Sequence, residues 1–134
     1  MVLFFVQVLT DAAASHWTSP VYRAVVTGAP SSPPFARSNG HTIYAFHGWD
    51  SNVFFGDFAN FGFTPTAEDL AFQNVLRTQF KSFMLNGQPE EATWKSARTR
   101  VAVLDDHVFT VEQYNKARCD FWLNNGFFSY AWIN

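Results

Sequence analysis

Apolar and polar positions change their period several times along this chain. Residues 21–26, VYRAVV, are β-branched and aromatic, follow Ser19-Pro20 and end at Thr27-Gly28, a pattern that predicts a buried strand. GAPSSPPFARSNGH, residues 28–41, is rich in Gly, Pro and Ser and predicts a loop that delivers the chain to His47 in an irregular segment. From Thr64 the period becomes helical. Pro65 suits a first turn, Glu68 and Asp69 complement its dipole, and Phe72, Leu76, Phe80 and Phe83 recur at helical spacing as a docking stripe. Asn86-Gly87 ends that helix, with Pro89 just beyond. VAVL, 101–104, is compatible with a short strand; Thr110 and Gln113 form a capping-box pattern that opens a second helix through about Trp122, closed by Asn124-Asn125-Gly126. The expected order is strand, histidine loop, long helix, short strand, terminal helix, without repeats. One or two strands do not make a stable sheet, so the strand over 21–26 calls for neighbours.

Composition changes this picture in one respect. A chain of 134 residues suits a single modest domain, 1–134, and 48% apolar content makes it globular. Yet 16 Phe, 5 Trp and 4 Tyr are a heavy aromatic load against only 15% charged residues, which implies surface that packs against more protein. A net charge of −2 gives no electrostatic footprint for nucleic acid or an anionic membrane, so neither is an expected partner. With one cysteine, Cys119, the chain has no internal disulfide, zinc cluster or redox pair. The opening MVLFFVQVLTDAAASHW has a signal-like apolar start over 1–9 and an Ala-x-Ala site, but no basic region before it. No run reaches transmembrane length.

Candidate chemistry centres on one of four histidines, His16, His41, His47 and His107. His47 follows a strand and a Gly/Pro loop and precedes Gly48, which lets the backbone turn tightly, a setting in which scaffolds display catalytic groups. His41, His47 and Asp50 are residue types that suit a metal, but their spacing matches no established ligand pattern, so no metal and no cofactor is expected.

These residues carry a resemblance. FHGWDSNVFFG, 46–56, is similar to the His-Gly-x-Glu-x-x-(aromatic or aliphatic)-x-Phe-Gly segment around the catalytic histidine of type-B carboxylesterases, the group that includes cholinesterases. PVYRAVVTGAP, 20–30, resembles the family strand Val-Tyr-x-Tyr-x-Phe, and Thr10-Asp11 the Thr-Asp pair upstream of it. FTPTAEDLAFQNVLRTQFKSFMLNGQPEEATW, 63–94, is similar to the helix that ends Phe-x-x-x-Gly-x-Pro before a Trp, and RCDFW, 118–122, to a C-terminal Cys-x-Phe-Trp motif. The marks keep the family's order and cover nearly the whole chain from residue 10. Asp50 stands where the family usually has Glu, and the segment between Asp11 and residue 21 is shorter than usual, which implies that a family helix is reduced or lost.

The resemblance implies the α/β class: the C-terminal fragment of an α/β-hydrolase, with an incomplete sheet, a sheet-edge strand, a catalytic-histidine loop and two main helices. It implies a serine carboxylesterase acting on a small carboxylic ester, with His47 as general acid and base and Gly48 and Asp50 in support. The family's triad order is Ser, then Asp or Glu, then His, so the nucleophile and acid are expected before residue 1. No Gly-x-Ser-x-Gly occurs here, and Ser31-Ser32, set among prolines, do not form a nucleophile elbow. The upstream remainder of the hydrolase domain is the implied partner, and the chain alone is expected to be inactive. Cys119 matches a cysteine that many relatives pair with one far upstream. The family also implies the secretory pathway. The rival readings are a non-catalytic, cholinesterase-like interaction or adhesion protein, and a non-functional truncated product.

Overall fold

The computed structural model describes residues 2–32, 44–96 and 100–125. Its elements run α1 (Val2–His16), β1 (Ala24–Val26), α2 (Trp49–Phe55), a 3₁₀ turn (Ala59–Phe61), α3 (Ala67–Asn86), β2 (Arg100–Leu104), β3 (Val108–Glu112) and α4 (Lys116–Asn124). The three strands form one sheet in the order β1-β2-β3. β1 lies at its edge and runs parallel to β2 in the register Ala24↔Ala102, Val25↔Val103, Val26↔Leu104. A parallel neighbour requires a long crossover, here the chain that contains α2 and α3. Val101 to Leu104 are all buried, and because side chains alternate along a strand, both faces of β2 are covered. The architecture is therefore mixed α/β, with four helices and a small sheet.

The described residues divide into two compact units. The larger, Ala24–Trp94 with Ala102–Thr110, holds the main core. Trp49, Val53, Phe58, Phe63, Phe72, Leu76, Ala102 and Leu104 are buried together, and Ala24, Val26, Phe46 and Trp94 pack around them. Full burial of each such aliphatic side chain contributes about 1.5–3 kcal/mol. Gly28 lies in this core because nothing larger fits: a Cβ there would stand 2.6 Å from Phe72 Cδ2. In the smaller unit, Met1–Arg23, Lys95–Val101 and Val111–Asn134, α1 packs on α4, Arg23 is buried 3.9 Å from the Asp11 carboxylate, and Ser96 Oγ bridges both backbone groups of Val21.

The long helix forms for the reasons its sequence gives, and its entry is held more firmly than composition suggests. Thr66 caps α3, and Asp69 completes a capping box: its carboxylate accepts from Thr66 N at 2.7 Å and Thr66 Oγ1 at 2.8 Å. The same carboxylate accepts from Ser31 N at 3.1 Å and Ser31 Oγ at 2.5 Å, which ties the exit of β1 to the start of α3. Burial of Asp69 opposes ionisation, but these four hydrogen bonds outweigh it and hold the carboxyl below its usual pKa. At the other end Gly87 closes the helix in the left-handed conformation, at φ 71°.

Several expectations need correction. The strand over 21–26 shortens to β1, half-buried rather than buried, and it pairs with β2 of the same chain. The helix expected from Thr110 begins at Lys116 instead. VFTVE, 108–112, forms β3, because a β-branched run beside β2 gains more from pairing than from a cap. Gln113 and Asn115, at φ 52° and 53°, then turn the chain in the left-handed region, where a capping box does not form. Among the described residues four helices stand where two main ones are expected: the signal-like start continues as α1 past the Ala-x-Ala site to His16, and the histidine segment contains α2. In the stripe of α3, Phe72 and Leu76 are buried, whereas Phe80 and Phe83 are 48% and 46% exposed.

Two consequences are measurable by urea denaturation. Gly28→Ala should cost about 1–3 kcal/mol, since the added methyl overpacks the Phe72 ring. A carboxyl with a depressed folded pKa stabilises the protein above its unfolded value, near 3.9, and loses that contribution as pH falls through the folded value. Asp69→Asn should therefore lower neutral-pH stability by about 1–3 kcal/mol and flatten the decline of the urea midpoint below pH 4. An unchanged acid profile would refute this role for Asp69.

Candidate functional site

The site is built on a four-residue turn, Phe46-His47-Gly48-Trp49. Trp49 N–H donates to the Phe46 carbonyl at 3.1 Å and closes it. Gly48 has φ 86° and ψ −5°, and His47 is not among the residues with positive φ. A third residue near about +80° and 0° after a negative-φ second residue defines a type II turn, which favours glycine in that place. His47 occupies the outer corner, exposed to solvent. The Gly48 carbonyl then accepts from Asn52 N–H at 3.1 Å and starts α2. The glycine after the histidine thus sets the turn and opens the helix.

Trp49 fastens this turn to the core. Its side chain is fully buried, with its ring centroid 5.7 Å from Phe46, 6.2 Å from Phe58 and 5.4 Å, edge-on, from Phe63. Its indole N–H has no hydrogen-bond acceptor, which costs about 1–3 kcal/mol. Burial of the ring removes about 200 Å² from water, worth about 5 kcal/mol, so burial wins. At the far end of α2, two side chains of α3 satisfy carbonyls that a helix terminus leaves without partners: Gln73 Nε2 donates to Val53 O at 2.6 Å and Arg77 Nε to Phe54 O at 2.7 Å.

The expected site residues do not form one cluster. His47 is exposed and makes no hydrogen bond to Asp50; Asp50 sits exposed in the first turn of α2 and lines a crevice with Ser51, Phe54, Phe55, Leu76 and Phe80. His41 lies outside the described residues, and among those described no group of three potential ligands could hold a metal. The Trp49 side chain packs in the core, whereas Phe54 and Phe55 line that crevice. Ser31 is bound to Asp69, and no serine stands beside His47 on a strand-to-helix elbow among the described residues. Cys119 is a buried free thiol in α4.

One histidine that the sequence did not single out has a carboxylate. His107 Nδ1 lies 2.5 Å from Asp106 Oδ1, and its ring stacks on Phe109 at 5.4 Å, in the exposed turn between β2 and β3. Two apolar runs separated by Asp105-Asp106-His107 are a hairpin signal, and that signal locates the pair.

Gly48→Ala tests the turn. A Cβ there meets nothing within 4 Å, so the whole penalty is backbone conformation. The variant should lose about 1–2 kcal/mol in urea unfolding, and Gly48→Asn less, because Asn tolerates positive φ. Equal stability of all three proteins would exclude the turn described here. No family model matches the chain, and no curated protein matches it.

Proposed function

We propose that this chain is the histidine-bearing C-terminal part of a type-B serine carboxylesterase, with His47 as general acid and base. The reading is carried by one conjunction: the residues FHGWDSNVFFG, similar to the family's histidine segment, include an imidazole exposed at the corner of a glycine-dependent turn. A proton acceptor has to reach a substrate from solvent, and the turn gives His47 that reach while Trp49 restricts its movement. In the proposed reaction His47 takes the proton of a serine hydroxyl as that oxygen attacks the ester carbonyl, then protonates the departing alcohol. The histidine is suited to both steps because an imidazole ring can both accept and donate a proton. The serine, the triad acid and the oxyanion-hole donors come from the upstream remainder of the hydrolase domain, and the substrate is a small carboxylic ester. Asp50 makes no bond to the imidazole, so the carboxylate that orients His47 is assigned to the upstream part as well.

A second reading, non-catalytic binding by a relative of these enzymes, is favoured by the apolar side chains that the fold leaves outside, among them Phe55 at 75% and Leu85 at 72% exposure. The two are separated by a fluorophosphonate probe on the longer parent chain, which labels an activated serine only in the enzyme.

A base without a nucleophile or oxyanion hole retains little catalysis. The purified 134-residue chain should hydrolyse p-nitrophenyl acetate no faster than the same concentration of free imidazole. A parent transcript should encode Gly-x-Ser-x-Gly upstream, and His47→Gln in that parent should lower kcat about 10⁴- to 10⁶-fold. Efficient turnover by the short chain, or a parent lacking the elbow, would overturn the proposal.

A further inference from the structure

We propose that the crevice between α2 and α3 binds an arylalkylamine, a single aromatic ring carrying an alkylammonium group. The inference goes beyond the ester-hydrolase reading and does not rest on it. The crevice has a volume of about 170 Å³, close to the ~150 Å³ of a cavity known to accept benzene, so one six-membered ring fits. Three of its six lining side chains are phenyl rings. Phe54 meets Phe55 edge-on at 5.1 Å and Phe80 at 5.6 Å, and Leu76 completes the apolar wall. Edge-to-face contact of this kind is also what an incoming ring would make.

Charge complementarity selects the amine. Asp50 is the one charged side chain in the lining. Among the described residues it has no ion-pair or hydrogen-bond partner, although Arg77 of the facing helix is near enough to α2 to bind the Phe54 carbonyl. A carboxylate left free beside three aromatic rings favours a cation with an apolar body: the ammonium is held by Asp50 and by the negative ring faces, and the Ser51 hydroxyl offers a further acceptor. An anionic aromatic is repelled by the same carboxylate. Both walls of the crevice are helical, and Gln73 and Arg77 of α3 hydrogen-bond the last carbonyls of α2.

Amide NMR titration of the full 134-residue protein with benzylamine, benzyl alcohol and phenylacetate tests this directly. Benzylamine should shift the amides of Asp50, Ser51, Phe55 and Phe80, with a Kd about three- to tenfold below that of benzyl alcohol, and phenylacetate should bind weakest. Asp50→Asn should make the amine and the alcohol equal. Phe55→Ala, which removes a ring that is 75% exposed and leaves the core intact, should weaken both. Equal binding of amine and alcohol by the unaltered protein, shifts confined to other residues, or no binding by a chain that sediments as a dimer through this face would each overturn the proposal. Catalysis enters none of these readouts, so loss of the ester-hydrolase reading and loss of this one are distinguishable.

Discussion

The burial of Trp49 is the constraint on which the larger unit turns. Its indole fills the space between Phe46, Phe58 and Phe63, its backbone N–H closes the turn that exposes His47, and it is the first residue of α2. One residue therefore joins a hydrophobic requirement to a geometric one. The core accepts an unpaired indole N–H because the ring gains several times what that hydrogen bond would return. The turn is then fixed at one side by a side chain that cannot leave, and the histidine next to it is held at the surface without being packed.

A second constraint acts through Asp69. A carboxylate with four donors joins the exit of β1 to the first turn of α3, and the close fit of Gly28 against Phe72 brings those segments together. Hydrogen bonds and packing reinforce one another here: the glycine allows the approach and the aspartate locks it. The parallel pairing of β1 with β2 depends on this, since the crossover between them must return α3 onto the sheet.

What could be read from the sequence follows from how local each determinant is. The long helix was legible at both ends because a cap, first-turn acids and a terminal glycine all lie within its own residues. VAVL was legible as a strand because an apolar run buried on both faces needs no alternation. The terminal helix was misplaced because Thr110 and Gln113 satisfy a local capping rule, while β2, which recruits VFTVE, lies outside the window in which such a rule operates. α2 was missed for a related reason. Gly48 and Gly56 bracket only seven residues, too few for a periodic signal, and the helix owes its stability to Gln73 and Arg77, some twenty residues away. At the site, the glycine turn and the exposed histidine followed from neighbouring residues, whereas the direction taken by Asp50 depended on where α3 would lie.

That direction has a chemical consequence. In the segment FHGWD, a histidine and a carboxylate three residues apart invite a single acid-base reading, but the type II turn and the helix that follows place them in different surroundings. His47 stands at the corner with no carboxylate partner among the described residues, and its tautomer is not set by Asp50. Asp50, exposed in the first turn of α2 and lining the crevice with three phenyl rings, is placed to attract a cation there. The imidazole and the carboxylate on the eleven residues 46–56 are separated in the chain by Gly48 and the fully buried Trp49, and neither hydrogen-bonds the other, so a substitution at Asp50 changes the crevice without removing a partner from His47.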